Sequence, residues 1–155
     1  MEIVVGSGSL RIQDIEKLKL LISPYFALIN PQCVCGLLHL KQAAFLADKA
    51  HEGNYNLSKE RSTEVLLYLT FQRQISKAIQ IAGIDANTKS VAWVSFGEAP
   101  LELLDMIDTD KSIISGNSFD YSNINLETSI IENSSFEAKQ KIIMAKTATL
   151  SVQPR

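Results

Sequence analysis

The sequence predicts a mixed α/β (α+β) fold in a single domain over residues 1–155, with a small central sheet of three to five strands covered by five or six helices. Three observations carry that expectation. Short β-branched or apolar runs recur between turn residues, at Glu2–Val5, Tyr25–Ile29 and Val91–Phe96. Longer stretches without internal breakers place apolar residues three and four apart, over residues 12–22, 36–51, 58–69 and 75–82. With 155 residues, 46% of them apolar and 21% charged, the chain has ordinary globular composition and enough length to bury a core.

In chain order, Glu2-Ile3-Val4-Val5 reads as a strand ended by the turn-like Gly6-Ser7-Gly8-Ser9. Ile12, Ile15, Leu18 and Ile22 recur at helical spacing until Ser23-Pro24 stops them. Tyr25–Ile29 is the second strand, closed by Asn30-Pro31, and residues 36–51 form a second helix with a broad apolar face. Ser58 is placed as the N-cap of a third helix running to about Leu69. A fourth helix buries Ile75, Ala78, Ile79 and Ala82 and stops at Gly83, with Ile84 set to pack back on its last turn.

Val91-Ala92-Trp93-Val94-Ser95-Phe96 is almost continuously apolar, the pattern of a central strand buried on both faces. Glu98 and Pro100 then open a helix carrying Leu101, Leu104 and Ile107. Residues 108–122 are irregular, with Ile113-Ile114 a short edge strand. A last helix spans about residues 126–146 and residues 147–155 form a tail.

Charge is segregated although the net value is only −2: residues 97–132 hold one basic and eight acidic groups, residues 133–155 four basic and one acidic. Indiscriminate nucleic-acid binding needs Lys and Arg clustered across a face, so any contact with nucleic acid here must be local. No apolar run approaches the roughly 18 residues of a membrane span, and the opening residues form no secretory leader, so no membrane contact and a cytoplasmic location are expected.

Enzyme signatures are sparse. Gly6-Ser7-Gly8-Ser9 is followed by Arg11 where a dinucleotide fingerprint needs its third glycine, and no Gly-Lys-Ser/Thr follows. Cys33 and Cys35 lack a second Cys or His pair at metal spacing, so they read as two buried thiols, with no metal and no cofactor expected. Asp105, Asp108 and Asp110 read as a solvated surface. The sequence has two histidines, His39 and His51, and no Gly-x-Ser-x-Gly elbow. One alternative stays open: a small ligand-binding domain or enzyme with a pocket near His39, where that residue would be the base; the other reading of His39 is a residue at the edge of the core.

Residues 62–84, STEVLLYLTFQRQISKAIQIAGI, carry a more specific pattern of two helices joined by a short polar break and stopped by Gly-Ile. Ser62-Thr63-Glu64, Gln74-Ile75-Ser76, Ala78-Ile79 and Gly83-Ile84 fall in order within it. Upstream lie Ala43, Ala44, Ala47 and Lys49, and downstream Asp85-Ala86-Asn87 and the terminal Lys141-Ile142-Ile143-Met144-Ala145-Lys146. This set resembles the kinase-binding accessory subunit family of the KEOPS complex, whose human member is the PRPK-binding protein, TPRKB. The likeness is residue by residue over 62–96 and again over about 137–152, and does not extend well into the acidic stretch from Asp108 to Glu132.

The resemblance implies a noncatalytic subunit of the machine that installs threonylcarbamoyl-adenosine next to the anticodon of tRNA. It implies binding to the N-lobe of that complex's small atypical protein kinase, indirect association with its other subunits, and a contact with the tRNA 3′ end. Ile142, Ile143 and Met144 are successive residues that span about 200° of the circumference of a helix. Either the last helix is packed on two sides within the monomer, or part of this triad, with Leu150, faces the kinase. For the tRNA end, Arg73 and Lys77 stand four apart at the start of the fourth helix, with Gln74 between and Phe71 before. That is a pairing of cations and an aromatic platform suited to single-stranded nucleotides, or else the solvated face of an amphipathic helix.

Overall fold

A computed structural model describes residues 2–116, 118–123 and 134–152. Four strands, β1 (Ile3–Leu10), β2 (Phe26–Ile29), β3 (Ser90–Phe96) and β4 (Ile107–Thr109), form one antiparallel sheet in the order β2-β3-β1-β4. Six helices accompany it among the described residues: α1 (Ile15–Lys19), α2 (Leu37–Glu52), α3 (Arg61–Thr70), α4 (Ile75–Ala82), α5 (Leu103–Met106) and α6 (Phe136–Ala148). The mixed α/β class and the expected numbers of strands and helices are therefore as the sequence predicts.

The layers follow from alternation along the strands. Ala27, Ile29, Ala92, Val94 and Phe96 point to one face and pack with Leu40, Ala43 and Ala47 of α2, Val65 and Leu67 of α3, and Ala78 and Ala82 of α4. Phe26, Leu28, Val91 and Trp93 point to the other and pack with Ile15 and Leu18 of α1 and Leu103 and Met106 of α5. Residues 91–96 are all buried, as a central strand covered on both faces requires.

Four local expectations are corrected. Gly6-Ser7-Gly8-Ser9 is not a turn but the second half of β1, paired residue by residue with β3. Its glycines are demanded by close approach, since a Cβ at Gly6 would stand 2.2 Å from the Trp93 ring and one at Gly8 2.5 Å from the Asp108 carbonyl oxygen. Ser58 does not cap α3: the Ser58 and Leu57 amides donate to the buried Glu64 carboxylate at 2.8 and 3.0 Å, and the helix starts at Arg61.

The helix after Pro100 is a single turn in a different register. Leu103 and Met106 are buried, whereas Leu101 and Leu104 are 84% and 59% exposed. Two registers compete here, and pairing of Ile107 with Leu10 of β1 fixes Ile107 in an edge strand and selects the one containing Leu103. Ile113-Ile114 is correspondingly not the edge strand but part of a 3-10 turn, Lys111–Ile114, which Asp110 opens by accepting from the Ser112 amide at 3.0 Å.

Smaller differences concern faces and ends. In α4 the alanines Ala78 and Ala82 make the buried seam, and the larger Ile75 and Ile79 lie at its flank, 39% and 48% exposed. In α1, Ile15 and Leu18 are buried while Ile12 and Ile22 are exposed. Gly83 ends α4 in an extended conformation, φ −72°, and Ile84 joins the α1/α5 side of the core. The last helix runs on to Ala148 and a 3-10 turn to Val152, and its expected first part, residues 126–133, lies outside the described residues.

Candidate partner-binding face

The last helix is tied to the start of α2 by polar contacts along its length. Ser135 caps it by accepting from the Ala138 amide at 3.3 Å. The Gln140 amide donates to the Cys35 carbonyl at 3.0 Å, and the Gln42 amide to the Met144 carbonyl at 2.8 Å. Gly36 sits at φ +90°, a conformation that favours glycine, and a Cβ there would also displace the Gln140 amide, 2.5 Å away, from its place at Cys35. Between these ties Ile143 is fully buried with Cys35 and Phe119.

His39 closes the joint. Its Nδ1 accepts from the Cys35 amide at 2.9 Å, so the neutral ring carries its proton on Nε2 and donates it to Thr147 Oγ1 at 3.0 Å. Burial lowers its pKa from 6.5 to about 4. Both ring nitrogens are thus engaged, Nε2 with α6 and Nδ1 with the Cys35 amide ahead of α2, and His39 does not line the cavity of about 470 Å³ at Leu28, that of about 350 Å³ at Trp93 or that of about 320 Å³ at Asn30. The thiols are equally quiet: burial, with Asp120 nearby, pushes Cys33 up to about 12, and burial raises Cys35. Among the described residues no group of three or more His, Cys, Asp or Glu side chains could hold a metal ion, and no helix is long and apolar enough to cross a membrane.

Of the residues singled out for the kinase, Ile143 and Leu150 lie inside the monomer at 0% and 3% exposure, whereas Ile142 and Met144 are half-buried on its surface. The neighbouring face of α2 adds what the sequence reading missed. Leu38 and Phe45 stand a turn to either side of Gln42, whose amide holds the Met144 carbonyl, and they are 58% and 53% exposed. Two large exposed apolar side chains on one stripe of a mostly buried helix are the signal that could have found them.

The residues singled out for tRNA lie at the α3–α4 break. Phe71 ends α3 in the left-handed conformation at φ +57°, with the Gln72 amide donating back to the Leu67 carbonyl at 3.1 Å. Gln74 is the N-cap residue of α4 without a side-chain capping bond, no acidic residue occupies that helix's first turn, and Lys77 there is exposed. Arg73 is half-buried. The last helix reaches this break: Lys146 of α6 places its Nζ 5.7 Å from the centre of the Phe71 ring, which also lies 6.4 Å from the His39 ring and packs against the cluster of Cys35, Phe119 and Ile143. Lys146 was not among the expected residues, since only the packing of α6 on α3 brings it there.

No curated protein matches the chain. The family model described as kinase binding protein CGI-121 matches residues 11–143, running across the acidic stretch where the sequence likeness was weak. A match over that much of the chain makes it a member of the CGI-121 family of kinase binding proteins.

Proposed function

We propose that this chain is a noncatalytic, cytoplasmic subunit of the KEOPS complex that binds the N-lobe of its small atypical protein kinase, supports that kinase, and helps hold the tRNA 3′ end during threonylcarbamoyl-adenosine formation. The observation that carries the reading is the family match over residues 11–143. The geometry supports it on two counts. The α2/α6 face offers Leu38, Phe45 and Met144 as apolar anchors, with Ile142 on the opposite flank of α6, and exposed apolar anchors suit an interface centre. Beside it, Phe71, Arg73, Gln74, Lys77 and Lys146 put an aromatic ring and cations at an uncapped helix start, which suits single-stranded nucleotides with their phosphates.

The contribution to turnover is then positioning of kinase and tRNA rather than bond chemistry. The test is co-purification of the chain with its host's small atypical kinase, followed by tRNA binding to the complex. Arg73→Glu with Lys77→Glu is expected to weaken tRNA binding by about tenfold or more and flatten its salt dependence, with kinase binding retained. A pair of variants that loses the kinase and keeps tRNA would overturn the division of labour. Truncation after Lys146 is a poor probe, because it removes the buried Thr147 and Leu150.

A further inference from the structure

The edge of the sheet at β2 carries an unmet demand. In an antiparallel pair, alternate residues turn their backbone groups toward the partner strand and away from it. The Phe96 amide donates to the Tyr25 carbonyl at 2.8 Å, which places Tyr25, Ala27 and Ile29 in the bonded set and turns Phe26 and Leu28 outward. Phe26 is satisfied by Ser23, through bonds of 3.1 and 3.2 Å, and beyond Leu28 the Asn30 amide donates to the Ala82 carbonyl at 2.7 Å. Between these two closures, Leu28 has no partner for its outward N–H and C=O among the described residues, although it is only 2% exposed. Buried backbone groups are nearly always paired, with protein or with water, so this stretch of edge is free to take a further strand partner.

That place is a cavity of about 470 Å³ straddling the edge between the two helical layers. Its floor is Ala27 and Leu28, its walls are Leu66 of α3, Ile79 of α4 and Ile22, and among its described lining residues the one charged, Lys19, is paired with Glu16 at 3.8 Å. The size and the mostly apolar lining are those of a ligand site. An occupant must offer an acceptor and a donor at strand spacing and an apolar side chain. An extended polypeptide segment meets all of these, whereas a lipid tail offers neither donor nor strand spacing.

We infer that this groove takes an extended, apolar segment of the kinase, which adds one strand bridge to Leu28 and buries an aliphatic side chain against Leu66 and Ile79. The inference rests on the kinase being the partner. It would make the β2 edge a second point of attachment, distinct from the α2/α6 face.

The test is amide hydrogen exchange on the intact chain, alone and with the purified kinase. Alone, the Leu28 amide is expected to exchange faster than Ala27 and Ile29, whose amides are bonded to β3. In the complex its exchange is expected to slow by about tenfold or more, to the level of those neighbours. Ile79→Glu, at an exposed position on the groove wall, is expected to weaken the complex by about tenfold or more. A complex that forms with Leu28 exchange unchanged, and that Ile79→Glu leaves as tight, overturns the groove and spares the kinase-binding reading. No complex at all overturns both. Leu28 protection that rises with the chain's own concentration, without kinase, overturns it in favour of a second copy.

Discussion

His39 of α2 and Thr147 of α6, 108 residues apart, share a hydrogen bond of 3.0 Å between two fully buried side chains. The other ring nitrogen faces the Cys35 amide, so a proton added to His39 would meet a donor instead of an acceptor. The joint that seats α6 therefore depends on the ring staying neutral.

A pH dependence follows. The folded pKa of about 4 lies below the unfolded 6.5, so the unfolded chain takes up the proton first. Stability from this group is complete above pH 6.5 and is lost as pH falls from there toward 4, by roughly 3 kcal/mol in all. Urea unfolding at stepped pH checks it: His39→Gln is expected to be less stable than the parent at pH 7.5 and to lose less on acidification. Parallel curves for the two proteins would contradict the assignment.

Phe71 occupies the left-handed region at φ +57°, where a side chain costs about 1 kcal/mol that glycine avoids. Phe71→Gly and Phe71→Ala both remove the ring from His39 and Lys146, so their difference isolates the backbone. The glycine variant is expected to be the more stable by about 1 kcal/mol, reversing the order found inside helices. Thermal denaturation of the two variants decides it.

At Gly6 the space is already filled by the Trp93 ring, which a Cβ would approach to 2.2 Å. Gly6→Ala is expected to cost about 1 to 3 kcal/mol as overpacking. Adding Trp93→Phe should recover part of that loss, a coupling that a double-mutant cycle measures as a non-additive term. Strict additivity would mean the two residues do not press on one another.

Element types were legible wherever composition and period agreed, as for the breaker-free α2 and the apolar β3. Gly6-Ser7-Gly8-Ser9 read as a turn because glycine and serine punctuate most chains; here the register with β3 and the bulk of Trp93 require small residues within a strand. The α5 register was open because Leu101/Leu104/Ile107 and Leu103/Met106/Ile107 are both helical sets, and only the β1–β4 pairing chooses between them.

The site was less legible than the fold. Arg73 and Lys77 are visible as cations four apart, but the approach of Lys146 to Phe71 depends on how α6 crosses α3. Ile142, Ile143 and Met144 show that a helix meets something on several sides, not which side is the monomer's own. The Leu28 edge needs the strand order, and element order does not determine it.

The most direct measurement is a calorimetric titration of the intact chain with its host's small atypical kinase, repeated with Leu38→Glu/Met144→Glu. The expected result is a saturable one-to-one complex whose Kd rises about tenfold or more in the double variant, with the melting temperature of the free chain little changed. A kinase that gives no binding heat and no complex at micromolar concentrations, or that binds parent and double variant alike, would contradict the account.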